Sequence, residues 1–220
     1  MITTVDAEES YTRYLKALLA GDRQQCRILF ETWLAADTDL RVMYQNLIQR
    51  SLYDVGSLWE QGRISVATEH LATAITESLL NLVYPRLFSQ PRLGKSVVVT
   101  CATNEHHQIG GKMVADIMEM NGWRSYFLGA NTPTSDLLAL IREKNPDAVA
   151  LSLAVHFNLE SLLQTTARVR TEFPEVPILV GGQAFRWGGW EQVEQIADVR
   201  YLGSLDALTS WMTSQTATDD

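Results

Sequence analysis

Basic runs are missing from this sequence. Its 18 Lys and Arg are outnumbered by 26 Asp and Glu, giving a formal net charge of −8. Nowhere do the basic residues gather into a patch that could track phosphates, which argues against direct nucleic-acid binding. A leader is missing too: Met1-Ile2-Thr3-Thr4-Val5-Asp6-Ala7-Glu8-Glu9 has neither a basic start nor an apolar run. No later segment is apolar for long enough to span a bilayer, so a cytoplasmic protein is expected. Cysteine is scarce. Cys26 and Cys101 lie far apart, in segments that read as buried helix and strand, which leaves no basis for a disulfide framework or a cysteine metal site. Proline is absent before Pro85. What is present in quantity is apolar surface: 46% of 220 residues are hydrophobic, enough for one large domain or two modest ones.

The proline-free stretch carries apolar residues at three and four spacing throughout, which predicts a four-helix bundle over residues 1–88. Gly21-Asp22 separates the first two helices, and Ala36-Asp37-Thr38-Asp39 supplies a polar break with a capping aspartate before a third helix that starts near Leu40 and ends at Gly62. Ser65 then caps a fourth helix running to Tyr84. Residues 89–94, Ser-Gln-Pro-Arg-Leu-Gly, read as a linker. Over residues 95–220 the pattern changes to β-rich runs alternating with helical ones. Strands are predicted at Ser96 to Cys101, Arg124 to Leu128, Ala148 to Leu153, Ile178 to Val180 and Val199 to Leu202. Helices begin near Gly110, Thr134, Asn158, Gly189 and Ser204. The expected fold class is therefore all-α followed by α/β: a helical bundle, then a flavodoxin-like, five-stranded, parallel, doubly wound sheet.

In such a sheet ligands bind at the carboxyl ends of the strands. The loop from Ala102 to Ile109 leaves the first strand there and carries Glu105, His106 and His107. Gly110-Gly111 open the next helix, where the lack of side chains lets a large ligand approach the backbone. The third strand ends in Ser152-Leu153-Ala154 and the fourth in Gly181-Gly182, which together outline a slot beside the histidine. A polar solvated turn is the plainer account of one histidine in a loop, and the coincidence of these strand ends outweighs it. The pyrophosphate fingerprint Gly-x-Gly-x-x-Gly is missing, and Gly110-Gly111-Lys112 lacks the glycine and hydroxyl positions of a P-loop. A zinc site on Glu105 and the two histidines has no partner signature elsewhere. A phosphate-accepting receiver domain is excluded by the absence of an acidic pair after strand one and of an aspartate ending strand three.

Acid, any residue, His, two residues, Gly, then Ser-x-Leu, then Gly-Gly: this pattern, met at Glu105, His107, Gly110, Ser152, Gly181 and Gly182, resembles the cobalamin-binding domain of methionine synthases, corrinoid methyl carriers, mutases and cobalamin-dependent light-responsive regulators. The sequence departs at Ala154, where leucine is usual, and at Glu105, where methyl-transferring members carry aspartate. The resemblance implies that His107 replaces dimethylbenzimidazole as the lower cobalt ligand. The displaced nucleotide tail then enters a slot lined by Ser152, Leu153 and Gly181-Gly182. Glu105 would orient the ring through its other nitrogen, with Ser152 as a third member. His106 is expected to face solvent, and His156 to be a loop residue near the slot.

In the helical part, Trp59, then six residues, Val66, then two residues, Glu69-His70, resembles the light-responsive regulators of the CarH type. On its own the group would read as bundle core with a glutamate favouring a helix N-terminus. By the resemblance, Trp59 and Val66 pack on the adenosyl group of adenosylcobalamin, and Glu69 and His70 contact its polar edge or the corrin; methylcobalamin is the other expected form. Two departures are visible. Glu60 stands where the CarH type has a histidine after the tryptophan, and about six residues precede the first helix where that type carries a DNA-binding domain. Output through a protein partner or through self-association as a homo-oligomer is therefore expected. Some relatives without DNA-binding modules also hold a bilin, which Phe185-Arg186-Trp187-Gly188-Gly189-Trp190 could flank. The expected function is a non-enzymatic cobalamin light sensor, with a corrinoid methyl carrier as the alternative.

Overall fold

A computed structural model describes residues 4–36 and 38–216. Asp37, part of the polar break before the third helix, lies outside the described residues, as do Met1, Ile2 and Thr3. The chain separates into two compact units, Met1–Arg86 and Leu87–Asp220.

The first unit is helical. α1 (Thr4–Leu19) and α2 (Arg23–Ala35) are joined at Gly21, whose φ of 69° makes the turn. Asp22 caps α2 by accepting the Gln25 N–H at 2.9 Å. The third helix is built of α3 (Leu40–Met43), a π turn at Tyr44–Gln49 and α4 (Arg50–Glu60). Periodicity alone predicts an uninterrupted α-helix here. The wider turn sits where Met43, Tyr44, Leu47 and Ile48 are all buried. Its C-terminus is a Schellman turn: Arg63 N–H donates to Leu58 O and Gly62 N–H to Trp59 O, with Gly62 at φ 67°. Ser65 then accepts the Thr68 N–H at 3.2 Å and starts α5 (Val66–Leu80), which runs into a 3-10 turn at Asn81–Arg86. Tyr14, Leu18, Phe30, Trp33, Leu40, Val55 and Ile75 fill the bundle interior.

The second unit alternates strands and helices: β1 (Ser96–Cys101), α6 (Ile109–Met120), β2 (Arg124–Phe127), α7 (Thr134–Lys144), β3 (Ala148–Ser152), α8 (Leu159–Glu172), β4 (Ile178–Gly181), α9 (Trp190–Glu194), β5 (Val199–Tyr201) and α10 (Leu205–Thr216). Among the described residues the strands form one parallel sheet in the order β2-β1-β3-β4-β5, the flavodoxin-like order expected from the sequence. Val98, Val149, Leu151 and Val180 pack with Leu137, Ile141, Leu162 and Val169 in its core. Because the connection from β1 turns one way to β2 and the chain later returns to place β3 on the other side, the crevice opens at the carboxyl ends of β1 and β3. Register aligns Cys101 with Ser152 and Ser152 with Gly181, so the ends of three adjacent strands share one edge.

Among the described residues no helix is long and apolar enough to cross a membrane, and no cluster of His, Cys, Asp and Glu is poised as a metal cage. Cys26 and Cys101 are free and buried.

Candidate functional site: a buried carboxylate holding a histidine at the sheet switch point

β1 delivers its loop to the switch point, and Asn104, in left-handed conformation at φ 67°, turns the chain so that Glu105 points inward. Glu105 has no exposed surface. A buried carboxylate needs donors on both oxygens, and here it has four. Oε1 accepts the His107 backbone N–H at 2.9 Å and lies 2.6 Å from His107 Nδ1; Oε2 accepts the N–H groups of Ala154 at 3.0 Å and Val155 at 2.8 Å. Burial alone would raise its pKa, but the His107 ring, the His107 N–H and the Val155 N–H outweigh it and hold the carboxyl at about 2. It is therefore ionised at neutral pH.

The Glu105 contact places the imidazole proton on Nδ1 and the lone pair on Nε2, and the His107 side chain is 51% exposed. An oriented, outward imidazole backed by a carboxylate is the donor set of a metal-ligating histidine, and it fits the lower position of a cobalt corrin. The Ser152 hydroxyl, expected as a third member, is not among the donors to Glu105; the backbone amides of the β3–α8 loop fill that role. His106 is exposed, as is His156, whose Nδ1 lies 3.3 Å from Ala184 O.

The glycines answer to the chain itself. A Cβ on Gly110 would sit 3.2 Å from Ser152 Oγ, and one on Gly111 3.2 Å from the Phe127 ring, so both let α6 lie close against the strand ends. Gly182, at φ 122°, would put a Cβ 2.1 Å from Leu153 O, and Gly181 would put one 2.7 Å from Leu202 O. Leu153 has its side chain in the core, leaving its backbone at the edge, where its carbonyl accepts the Ala184 N–H. Glu105, His107, Gly110, Ser152, Gly181 and Gly182 are thus gathered along one edge.

In the helical unit, Trp59 (48%) and Val66 (50%) are exposed although both are large and apolar, which the core reading does not predict. Glu69 is mostly covered and accepts the Thr73 hydroxyl at 3.1 Å, while its other oxygen lies 3.6 Å from Nε2 of the exposed His70. In the aromatic segment, Phe185 is buried and packs on Tyr201, Trp190 stacks on the same ring, and Trp187 faces solvent.

Residues not foreseen complete the loop. Asn131, also left-handed at φ 51°, accepts the Asn104 N–H through Oδ1 at 2.9 Å and donates its own N–H to Glu105 O at 2.9 Å. Asn158 Nδ2 reaches Asn104 O at 3.2 Å. Hydroxyls of Thr103, Thr134 and Thr165 form a chain behind them. The tripeptide Asn131-Thr132-Pro133 after β2 is a turn signal, and it is the one sequence feature that could have pointed here.

A fold of this order with a carboxylate-backed histidine at its switch point offers one oriented ligand at the edge where such sheets bind cofactors. Models described as B12 binding domains match residues 95–206 and residues 11–84, and the chain belongs to the B12-binding family. It is 30% identical to the HTH-type transcriptional repressor CarH of Myxococcus xanthus over 174 residues, which is 78% of this chain and 57% of that protein. It is 35% identical to the HTH-type transcriptional repressor CarA of the same organism over 128 residues, 56% of this chain and 43% of that one. The chain thus spans about half the length of the curated relatives it matches. Among solved structures, the monomethylamine corrinoid protein of Methanosarcina barkeri has the same fold, with a TM-score of 0.79 at 15% identity, covering 94% of this chain and 99% of that one.

Proposed function

We propose that this chain is a light sensor that binds adenosylcobalamin with His107 as the lower cobalt ligand. The observation that carries the lower-ligand assignment is the Glu105 to His107 contact at 2.6 Å, which orients the ring through Nδ1 in the manner of a carboxylate-backed metal ligand. Glu105 holds the ring in place, and its negative charge raises the ligand's basicity. The edge formed by Ser152, the Leu153 backbone and Gly181-Gly182 takes the displaced nucleotide tail. Trp59 and Val66 take the upper ligand, with Glu69 and His70 at its polar edge; two exposed large apolar side chains at one helix junction are better explained by an apolar ligand than by the bundle. The resemblance of Trp59, Val66, Glu69 and His70 to the light-responsive CarH type, beside the identity with a transcriptional repressor, supports the choice of light sensing over methyl carriage.

When bound, adenosylcobalamin supplies a cobalt to carbon bond that visible light cleaves. What the chain contributes is a set of contacts at Trp59 and Val66 whose loss shifts a conformational equilibrium. Output then passes through self-association or a protein partner. Glu60 cannot serve as the imidazole that the CarH type places after its tryptophan, so a group other than the residue after Trp59, water or His70, would have to replace the lost upper ligand. Trp187 and the partly stacked Trp190 are the exposed rings of the segment that a bilin would meet. Protein loaded with adenosylcobalamin in the dark is expected to change its absorption spectrum and its oligomeric state on illumination. An unchanged spectrum together with methyl transfer to or from a corrinoid methyltransferase would establish the carrier reading instead.

A further inference from the structure

Glu105 faces two ways. One oxygen holds the His107 ring, and the other holds the first turn of the β3–α8 loop, through Ala154 and Val155 N–H at 3.0 and 2.8 Å. That loop continues into His156–Asn158, where Phe157 is 92% exposed beside Val155, which is 36% exposed. A wholly buried carboxylate with four donors cannot lose or move one of them without redistributing the others, because hydrogen bonds in a low-dielectric site are coupled.

We infer that Glu105 is a positioning residue for the β3–α8 loop as well as for the ring: it ties Ala154 and Val155 to His107, so that the exposed segment Val155 to Phe157 reports whether His107 is ligated. The inference rests on the reading of His107 as a cobalt ligand. Movement of the ring toward a metal on Nε2 draws Oε1 with it, and Oε2 sits on the same carboxyl group. Asn158 Nδ2 to Asn104 O at 3.2 Å and His156 Nδ1 to Ala184 O at 3.3 Å connect the same loop to its neighbours. A change at its first turn therefore spreads along the carboxyl edge. Val155 and Phe157 thereby become the point at which the ligation state of this unit reaches its surface.

The test is amide hydrogen exchange by nuclear magnetic resonance on the full chain without cofactor, as a cycle of wild type, His107→Ala, Glu105→Gln and the double variant. His107→Ala is expected to speed exchange at Ala154 and Val155 by about tenfold, the scale of coupling between contacting residues, and to add less than about twofold once Glu105→Gln is present. Amides of Val98 and Val149 in the central strands report that the fold is intact. Equal effects of His107→Ala in both backgrounds overturn the inference. Wild-type protein titrated with hydroxocobalamin gives a second reading, which does not depend on any variant folding. A shift in exchange at Ala154 and Val155 as the cofactor spectrum changes supports the coupling; a spectral change with those amides unmoved overturns it. If hydroxocobalamin shows no spectral change, the lower-ligand reading fails, and the cofactor-free cycle still decides the coupling.

Discussion

The Glu105 carboxylate, with no surface exposed, lies 2.6 Å from Nδ1 of His107 two residues away. Acid, spacer and histidine in one tight loop make a pre-formed ligand whose orientation precedes any metal. Because the four donors to Glu105 include three backbone amides, the same carboxylate also stabilises the fold.

That double role has a pH signature. The folded state holds the Glu105 carboxyl at about 2 against an ordinary value of 4.5. A depressed carboxyl contributes stability that is complete above the unfolded value and is lost as pH falls through the folded one. The stability advantage of wild type over Glu105→Gln in urea melts is therefore expected to be constant near neutrality and to shrink between about pH 4.5 and about 2. A gap that stays constant through that window would contradict the assignment.

The glycines at the end of β4 permit a sharper steric prediction. Gly182→Ala places a methyl 2.1 Å from Leu153 O at φ 122°, whereas Gly188→Ala, at φ 94°, meets nothing within 4 Å. Both substitutions strain the backbone, and only the first also forces two strand ends apart. Gly182→Ala is expected to cost at least about 3 kcal/mol and Gly188→Ala about 1 kcal/mol in denaturant unfolding. Similar costs would mean that the β3 to β4 approach relaxes freely.

In the helical unit, Trp33 is 3% exposed and its Nε1 donates to Ser10 Oγ at 2.9 Å, while Trp59 is 48% exposed. Trp33→Ala is expected to cost about 3–5 kcal/mol of stability, and Trp59→Ala under about 1 kcal/mol. Trp59→Ala should instead weaken dark retention of adenosylcobalamin while leaving hydroxocobalamin binding unchanged. Equal losses for both cofactors would remove Trp59 from the upper-ligand group.

Thiol reactivity checks the packing behind the site. Burial, with the Glu105 charge adding to it, pushes the Cys101 thiol up to about 12, and burial with Asp22 nearby pushes Cys26 up to about 11. Iodoacetamide at about pH 8 should label neither in the native protein and both after denaturation. Native labelling of Cys101 would show that the space behind the His107 loop opens.

The strands and their order were legible because two periodicities meet at residue 94 and because parallel strands buried on both faces read as continuous apolar runs such as Ser96 to Cys101. The π turn at Tyr44–Gln49 was not, since one widened turn leaves the apolar spacing nearly unchanged. At the site, Glu105, His107 and the strand-end residues followed from their chain positions. The partners of Glu105 did not: Ser152 was expected for its hydroxyl, and the donors are amides of Ala154 and Val155, which any residue carries. Asn131 is not legible in the sequence because its work depends on a left-handed turn and on a loop distant in sequence. Backbone donors and loop-to-loop contacts leave little mark on residue type.

His107 as the lower ligand of cobalt is open to one direct test. Electron paramagnetic resonance of the chain carrying nitrogen-15 histidine and unlabelled cob(II)alamin reads the lower-ligand nitrogen directly. Coordination by His107 predicts that each cobalt line splits into a doublet from nitrogen-15 and that this splitting vanishes in His107→Ala; triplets from the cofactor's own dimethylbenzimidazole in the wild-type protein would contradict it.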